Sequence, residues 1–199
     1  SRYSAAIKEI QTKLEILDDE FQMRHRRNPI HHMQSRLKTI QSMLEKLKRK
    51  NYEVSINSAV KNLQDIAGIR VICSYVQDVY TIANLLVSQD DVHLVRMADY
   101  IREPKPNGYR SLHLIVEIPV FLSEGRILVP VEVQIRTIAM DFWASLEHSL
   151  RYKAQEYIPQ HISDELQRVA TDIASLDQRM QAIHDQVDEL SDAHGDSAT

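Results

Sequence analysis

The segment Val131-Glu132-Val133-Gln134-Ile135-Arg136 alternates apolar and polar side chains without a break. A period of two belongs to an extended strand, so Val131, Val133 and Ile135 share one face while Glu132, Gln134 and Arg136 share the other. A chain holding such a strand needs a sheet with one covered face and one that meets water or a ligand. Two readings stay open at this point: an antiparallel edge strand washed by solvent, or a strand whose polar row serves a site.

Ile69, Val71, Cys73 and Tyr75 alternate in the same way, and residues 110–120 and 127–136, joined around Glu124-Gly125, predict a hairpin. With a shorter strand at 92–98, the expectation is an α+β fold: a small mixed sheet flanked by helices. Ile7, Ile10, Leu14, Leu17 and Phe21 step by three and four and predict a first helix. Ile30, Met33, Leu37, Ile40, Leu44 and Leu47 step likewise, so a second helix is expected across residues 30–47, with Arg36, Lys38, Lys46 and Arg49 on its other faces. Further helices are expected at 77–88 and from Thr137, the latter turning Phe142, Trp143, Leu146 and Leu150 inward. The most regular pattern is the last. Ile162, Leu166, Val169, Ile173, Leu176, Met180, Ile183, Val187 and Leu190 follow heptad spacing, the seam of a coiled coil, which favours self-association. The tail beyond Leu190 is expected to fray.

Composition narrows the chemistry. Only four glycines occur, which excludes the clustered-glycine loops that cradle phosphates with backbone N–H groups. Any phosphate must therefore be held by side chains. The net charge of −4 hides an asymmetry: nine Lys/Arg against the single acid Glu45 between Arg24 and Lys50, and ten acids against two arginines from Ala154 onward. A basic stretch in an acidic chain points to a local anionic ligand or, more plainly, to a solvated helix face. The lone Cys73 excludes an internal disulfide and suits a buried small hydrophobe, and no apolar run reaches the length of a membrane span, so a cytoplasmic protein is expected.

Asp65, just ahead of the strand that holds Arg70, and Glu132 are two carboxylates that could share a magnesium ion whose shell nucleotide phosphates complete; Asp65 alone would equally serve as a turn or helix-end cap. In Lys105-Pro106-Asn107-Gly108-Tyr109-Arg110-Ser111-Leu112-His113, a tight turn presents Tyr109 where its ring could stack a nucleobase, with Lys105 and His113 suited to phosphate. Alone, such a tyrosine is an ordinary packing residue.

These blocks resemble a known family. Asp65-Ile66-Ala67-Gly68-Ile69-Arg70, the Lys105–His113 block and Glu132-Val133-Gln134-Ile135-Arg136-Thr137 are similar to the synthetase motifs of the Rel/Spo alarmone synthetases. Asn28-Pro29-Ile30, Arg36-Leu37-Lys38 and Met140-Asp141-Phe142-Trp143-Ala144-Ser145-Leu146-Glu147-His148 resemble its short, single-domain branch, the RelP type above all. The resemblance implies a nucleotidyltransferase-like fold related to DNA polymerase beta. It also implies transfer of pyrophosphate from ATP to the 3'-hydroxyl of GDP or GTP, with magnesium as cofactor. By the same resemblance Asp65 and Glu132 hold the metal, and Glu132 orients or deprotonates the hydroxyl. Arg36 and Arg70 sandwich adenine; Lys38, Lys46 and Arg49 bind ATP phosphates. Lys105 and His113 meet the acceptor's phosphates, Tyr109 stacks on guanine, Gln134 supports the site, and Asp141 accepts from the guanine edge. A homotetramer through terminal helices is implied, with residues 1–27 as an N-terminal helix, 28–153 as the catalytic domain and 154–199 as an oligomerisation helix and tail. No membrane and no obligatory nucleic acid partner are expected.

Departures from the family pattern carry their own expectations. Glu15 and Asp18 stand where relatives of the other short type place basic residues for activating pppGpp, so no such activation is expected. Ala98 replaces a basic residue, with Arg96 and Arg102 as substitutes. His184-Asp185 falls in the heptad helix and is a coincidence rather than a hydrolase pair, and His25, His31 and His32 are weighed as surface histidines rather than an inhibitory zinc site. The rivals are an adenylyl transferase, which would release pyrophosphate instead of AMP, and a non-catalytic RNA-binding scaffold.

Overall fold

The computed structural model describes residues 1–155 and 157–195. Helix α1 (Arg2–His25) is followed by β1 (Ile30–Leu37), α2 (Ile40–Arg49), α3 (Ile56–Asn62), β2 (Ala67–Cys73), α4 (Val76–Val87) and β3 (His93–Asp99). Then come β4 (Leu112–Leu122), β5 (Gly125–Thr137), α5 (Ile138–Lys153) and α6 (Gln160–Gly195). Five strands make one sheet in the order β1-β2-β5-β4-β3, in which only β2 and β5 run parallel.

Strand alternation splits this sheet into two unlike faces. Ile69, Val71 and Cys73 of β2, Val131, Val133 and Ile135 of β5 and Leu112, Leu114 and Val116 of β4 are all buried under α1 and α4. Ile7, Ile10 and Leu14 of α1 and Val79, Ile82 and Leu86 of α4 close over them. At about 1.5 to 3 kcal/mol for each large aliphatic removed from water, this layer is the main source of stability. Arg27, just past the left-handed Arg26 that ends α1, fastens the two helices together by a two-pronged bond to Asp78 at 2.7 and 2.8 Å.

The alternating segment 131–136 is thus central, with neighbours on both sides, and the edge-strand reading falls. The hairpin of β4 and β5 and the α+β class are as expected. Residues 30–47, by contrast, are not one helix. Residues 30–37 pair with β2 as an edge strand, and the helix starts only after Thr39, whose hydroxyl accepts from Ser42 N at 3.2 Å. The three-and-four spacing misleads because it is not a burial pattern: Leu37 is 44% and Ile40 60% exposed. An edge strand with one bare face places little demand on its residues.

Thr137 caps α5, accepting from Met140 N at 3.2 Å while donating to the buried Asp177 of α6 at 2.6 Å. Of the apolar residues expected to face inward from α5, only Trp143 does; it donates to Leu166 O at 2.8 Å, whereas Phe142, Leu146 and Leu150 are exposed. The heptad stripe on α6 divides likewise. Leu166 and Ile173 pack on Trp143, while Leu176, Met180, Ile183, Val187 and Leu190 are about half exposed. Residues 191–195, expected to fray, continue α6 as helix, and 196–199 lie outside the described residues.

Candidate active site

The face of the sheet turned away from α1 and α4 carries the polar row. Pairing places Arg36 opposite Gly68, Gly68 opposite Glu132, Gln34 opposite Arg70, Arg70 opposite Gln134, and Gln134 opposite His113. Paired residues point to the same side, so four strands contribute to one surface. A cleft of about 180 Å³ lies over it, lined by Gln34, Ser35, Arg36, Gly68, Ile69, Arg70, Glu132 and Gln134. Gly68 leaves a gap between Arg36 and Glu132, and so keeps the floor flat. Arg36 and Arg70 are diagonal neighbours on adjacent strands, roughly 7 to 8 Å apart at the backbone, a separation that admits a planar ring between two guanidiniums.

At the α2 end of this face, Asp65 sits two residues before β2 and accepts from Lys38 at 2.7 Å and from Lys46 at 2.5 Å, both through Oδ2. Burial pushes its carboxyl up, but the two ammonium groups outweigh this and hold it below its usual range. Asp65 caps no helix. Its Oδ1 is buried without a hydrogen-bond partner among the described residues. Lys46 and Arg49 lie three apart on α2 and so share a face, and Arg49 is exposed.

Magnesium favours hard oxygen donors and keeps open positions for water and phosphate. Among the described residues no three His, Cys, Asp or Glu side chains gather into a metal-holding group. The donor set fits magnesium only in its phosphate-assisted form, with the free Oδ1 of Asp65 and the cleft-lining Glu132 as protein oxygens. His25, which packs on Phe21 with ring centroids 4.4 Å apart, does not form such a group with His31 and His32.

The opposite end is a half-buried hydrogen-bond chain. Gln134 Nε2 donates to Glu132 Oε2 at 3.3 Å. Arg136 Nη2 donates to Gln134 Oε1 at 2.9 Å and to the Tyr109 hydroxyl at 3.0 Å. That hydroxyl lies 2.8 Å from His113 Nε2. Because it accepts from Arg136, its own proton is free to go to His113, which makes Nε2 the acceptor. Burial, then Arg136 and Lys105, push the His113 imidazole down to about 3, so the ring is uncharged at neutral pH and Nδ1–H is its remaining donor. The loop leading here is built by its turn: Gly108 N donates to Lys105 O at 2.8 Å, Tyr109 N to Asn107 Oδ1 at 3.0 Å, and Gly108 takes φ 97°, which suits glycine. A Cβ on Gly108 would lie 2.6 Å from Ala170 Cβ, so the loop is pressed against α6. Lys105 Nζ stands 5.1 Å from the Tyr109 ring centroid and 4.8 Å from that of Tyr100. Ala98 pairs with His113 at the end of the row, with the exposed Arg96 two residues away.

The structure therefore gathers Arg36, Arg70, Glu132 and Gln134 in the cleft, Lys38, Lys46 and Asp65 at one end, and Lys105, Tyr109, His113 and Asp141 at the other. Asp65 and Glu132 are not bonded to each other. Sequence reasoning missed Arg136, which is 2% exposed and ties Tyr109, Gln134 and Asp141 together. Its signal was its place as third member of the polar row. Gln34 was hidden by the helix expected there, and Tyr100 had no signal at all.

Comparison with known proteins gives a consistent result. A family model described as the region found in RelA/SpoT proteins matches residues 35–157. The chain is 45% identical over 186 residues to the GTP pyrophosphokinase YwaC of Bacillus subtilis (strain 168), covering 94% of this chain and 89% of that protein. It is 37% identical over 191 residues to the GTP pyrophosphokinase YjbM of the same organism, covering 96% and 89%. The crystal structure of small alarmone synthetase 1 from Bacillus subtilis bound to its product pppGpp superposes with a TM-score of 0.84 at 37% identity, over 93% of this chain and 94% of that one.

Proposed function

The chain belongs to the RelA/SpoT family as one of its small alarmone synthetases, and on that premise we propose how its own residues make the alarmone. The protein is a GTP pyrophosphokinase: it transfers pyrophosphate from ATP to the 3'-hydroxyl of GDP or GTP and releases AMP with ppGpp or pppGpp, the signal of the stringent response. The observation that carries the assignment of roles is the register of the polar face, in which Glu132 shares a row with Gly68 and Arg36 while Gln134 beside it is flanked by Arg70 and His113.

Adenine enters between Arg36 and Arg70, and its phosphates draw Lys38 and Lys46 away from Asp65, with Arg49 on the same helix face. Lys105 swings off Tyr109 to meet acceptor phosphates, assisted by His113 Nδ1–H, and guanine takes its place on the ring. Glu132 accepts the 3'-hydroxyl proton as that oxygen bonds to the β-phosphorus and the bond from the β-phosphorus to the bridging oxygen of AMP breaks. Asp65 and Glu132 are the residues that would hold magnesium, which supplies charge neutralisation on the phosphate oxygens. No covalent enzyme intermediate is needed, because positioning and electrostatics account for this chemistry.

We assign residues 28–153 as the catalytic unit, acting in the cytoplasm; no helix among the described residues is long and apolar enough to cross a membrane. The half-exposed stripe of α6 supports a homotetramer through terminal helices, and a monomeric mass at micromolar concentration would overturn it. The RelP-type assignment rests on the 28–30, 36–38 and 140–148 blocks, and the expected lack of activation by pppGpp rests on α1. There Glu15 accepts from Gln11, and Asp18 accepts from Asn28 Nδ2 and Ile30 N, so these positions carry carboxylates rather than cations. Added pppGpp should leave the rate unchanged, and a clear rise would overturn that expectation. The test of the reaction itself is incubation with magnesium, γ-labelled ATP and GDP or GTP. Label should appear in ppGpp or pppGpp, and vanish with Glu132→Gln; label that stays in ATP while guanine nucleotide binds would overturn it.

A further inference from the structure

Arg136 is a buried residue that the chemistry above does not use. It lies next to Thr137 at the end of β5, 2% exposed, where an unpaired guanidinium would be very costly. Its fork is shared among three partners that all belong to the acceptor end: Tyr109 Oη at 3.0 Å and Gln134 Oε1 at 2.9 Å, both from Nη2, and Asp141 Oδ1 at 3.5 Å from Nη1. Its carbon centre also stands 5.4 Å from the Tyr109 ring centroid, so the same cation touches the ring and its hydroxyl. Asp141 Oδ1 is buried and accepts no hydrogen bond among the described residues, although it faces the guanidinium. A buried carboxylate oxygen held near a cation but left without a donor is available to a ligand N–H.

We infer that Arg136 is a positioning residue that sets selectivity for the acceptor base, by fixing the Tyr109 ring and the Asp141 carboxylate in one relative geometry. This rests on the proposed function and deepens it. A stacked ring alone is indifferent to the base it receives, since every base has a flat face. Discrimination needs a hydrogen-bonding group at a fixed distance from the stack, and a site built to accept an N–H rejects an analogue lacking it. Guanine offers a ring N–H and an exocyclic amino group on one edge; hypoxanthine has the first and lacks the second. Lysine in place of Arg136 would keep the charge but could not hold three partners in a plane.

The experiment is calorimetric titration of wild type, Arg136→Lys and Asp141→Ala with GDP and with IDP, together with the KM for ATP and kcat at saturating GDP. Arg136→Lys should lose GDP affinity on the order of 10-fold, as expected when a charge-assisted hydrogen bond is lost. Its GDP-to-IDP ratio should fall toward one, while the KM for ATP stays within about twofold. An unchanged GDP-to-IDP ratio, or a KM for ATP rising in step with that for GDP, would overturn the inference, because a merely structural role loosens both ends. Should Arg136→Lys fail to fold, Asp141→Ala, which removes the acceptor, decides. Asp141 is partly exposed at the start of α5, and its variant must also lose the preference for GDP over IDP. Since binding is read without turnover, failure of pyrophosphate transfer would overturn the proposed function and leave the selectivity ratio still testing Arg136.

Discussion

The two ends of the cleft are built from opposite materials. At the Asp65 end, long cationic side chains reach in from β1, α2 and the loop between them, and what holds them is a single carboxylate shared by Lys38 and Lys46. At the Tyr109 end, groups on β4, β5 and the turn before β4 form one hydrogen-bonded chain from Glu132 through Gln134, Arg136 and Tyr109 to His113. The first end is electrostatic and can exchange partners, since an ammonium needs no fixed orientation to meet either a carboxylate or a phosphate. The second is geometric, because donors and acceptors already occupy set positions. A triphosphate donor is recognised mainly by charge, whereas the acceptor must present one hydroxyl oxygen to one phosphorus, and alignment of that kind comes from the rigid end.

Glu132 sits where the two ends meet, and the largest effect should come from there. Replacing it with glutamine keeps the bond with Gln134 within reach but removes the base, so turnover should fall by about 10²- to 10⁴-fold. Binding of GDP, and of ATP without magnesium, measured separately by calorimetry, should each change little. A Glu132→Gln protein with near-normal turnover would show that the junction is not where the proton goes.

Substitutions within one end should leave the other alone. Tyr109→Ala removes the stacking surface, and base-on-aromatic stacking contributes roughly 1 to 3 kcal/mol, so the KM for GDP should rise about 5- to 150-fold with the KM for ATP unchanged. Arg70→Ala should do the reverse. Steady-state kinetics with each substrate varied in turn provides the check, and a rise in both constants from either variant would mean that the two ends are one coupled unit.

How much of this could be read from the sequence depended on whether burial followed the pattern. In β5 and β2 it does, because both strands lie inside the sheet with a core on one side, and Val131, Val133 and Ile135 had to be buried together. The polar row was legible for the same reason. In β1 the pattern fails: an edge strand with Arg36, Gln34 and both histidines exposed has no periodic demand on it, and a chance spacing of Ile30, Met33 and Leu37 imitates a helix. That error had a functional cost, since it set Arg36 on a helix and concealed that it faces Gly68 across a strand pair. In α5, Phe142, Leu146 and Leu150 carry helical spacing but face outward, because the inner position is taken by Trp143 against α6. Arg136 was visible as a polar residue, yet nothing in a period of two distinguishes a buried guanidinium from an exposed one.

The smallest effect separates the ends by acidity. Asp65 is held below its usual range, so the stability it contributes is complete above the ordinary aspartate value of 3.8 and is lost only as pH falls through a still lower value. His113 is pushed from 6.5 down to about 3, first by burial and then by Arg136 and Lys105. Between those two values the unfolded chain binds a proton that the folded protein refuses, so stability falls as pH drops from 6.5 toward 3. By about pH 5.5 this one group should have removed about 1.4 kcal/mol, the equivalent of one pH unit of linkage, while Asp65 has removed nothing. Glutamine at position 113 can still accept from Tyr109 but does not titrate. Denaturant melts of wild type and His113→Gln at about pH 7.5 and about pH 5.5 should therefore show the wild type losing ground to the variant on acidification. Parallel changes in the two proteins would mean that the His113 ring is solvated and protonates freely, and the acceptor end would then be no more rigid than the lysine end it is contrasted with.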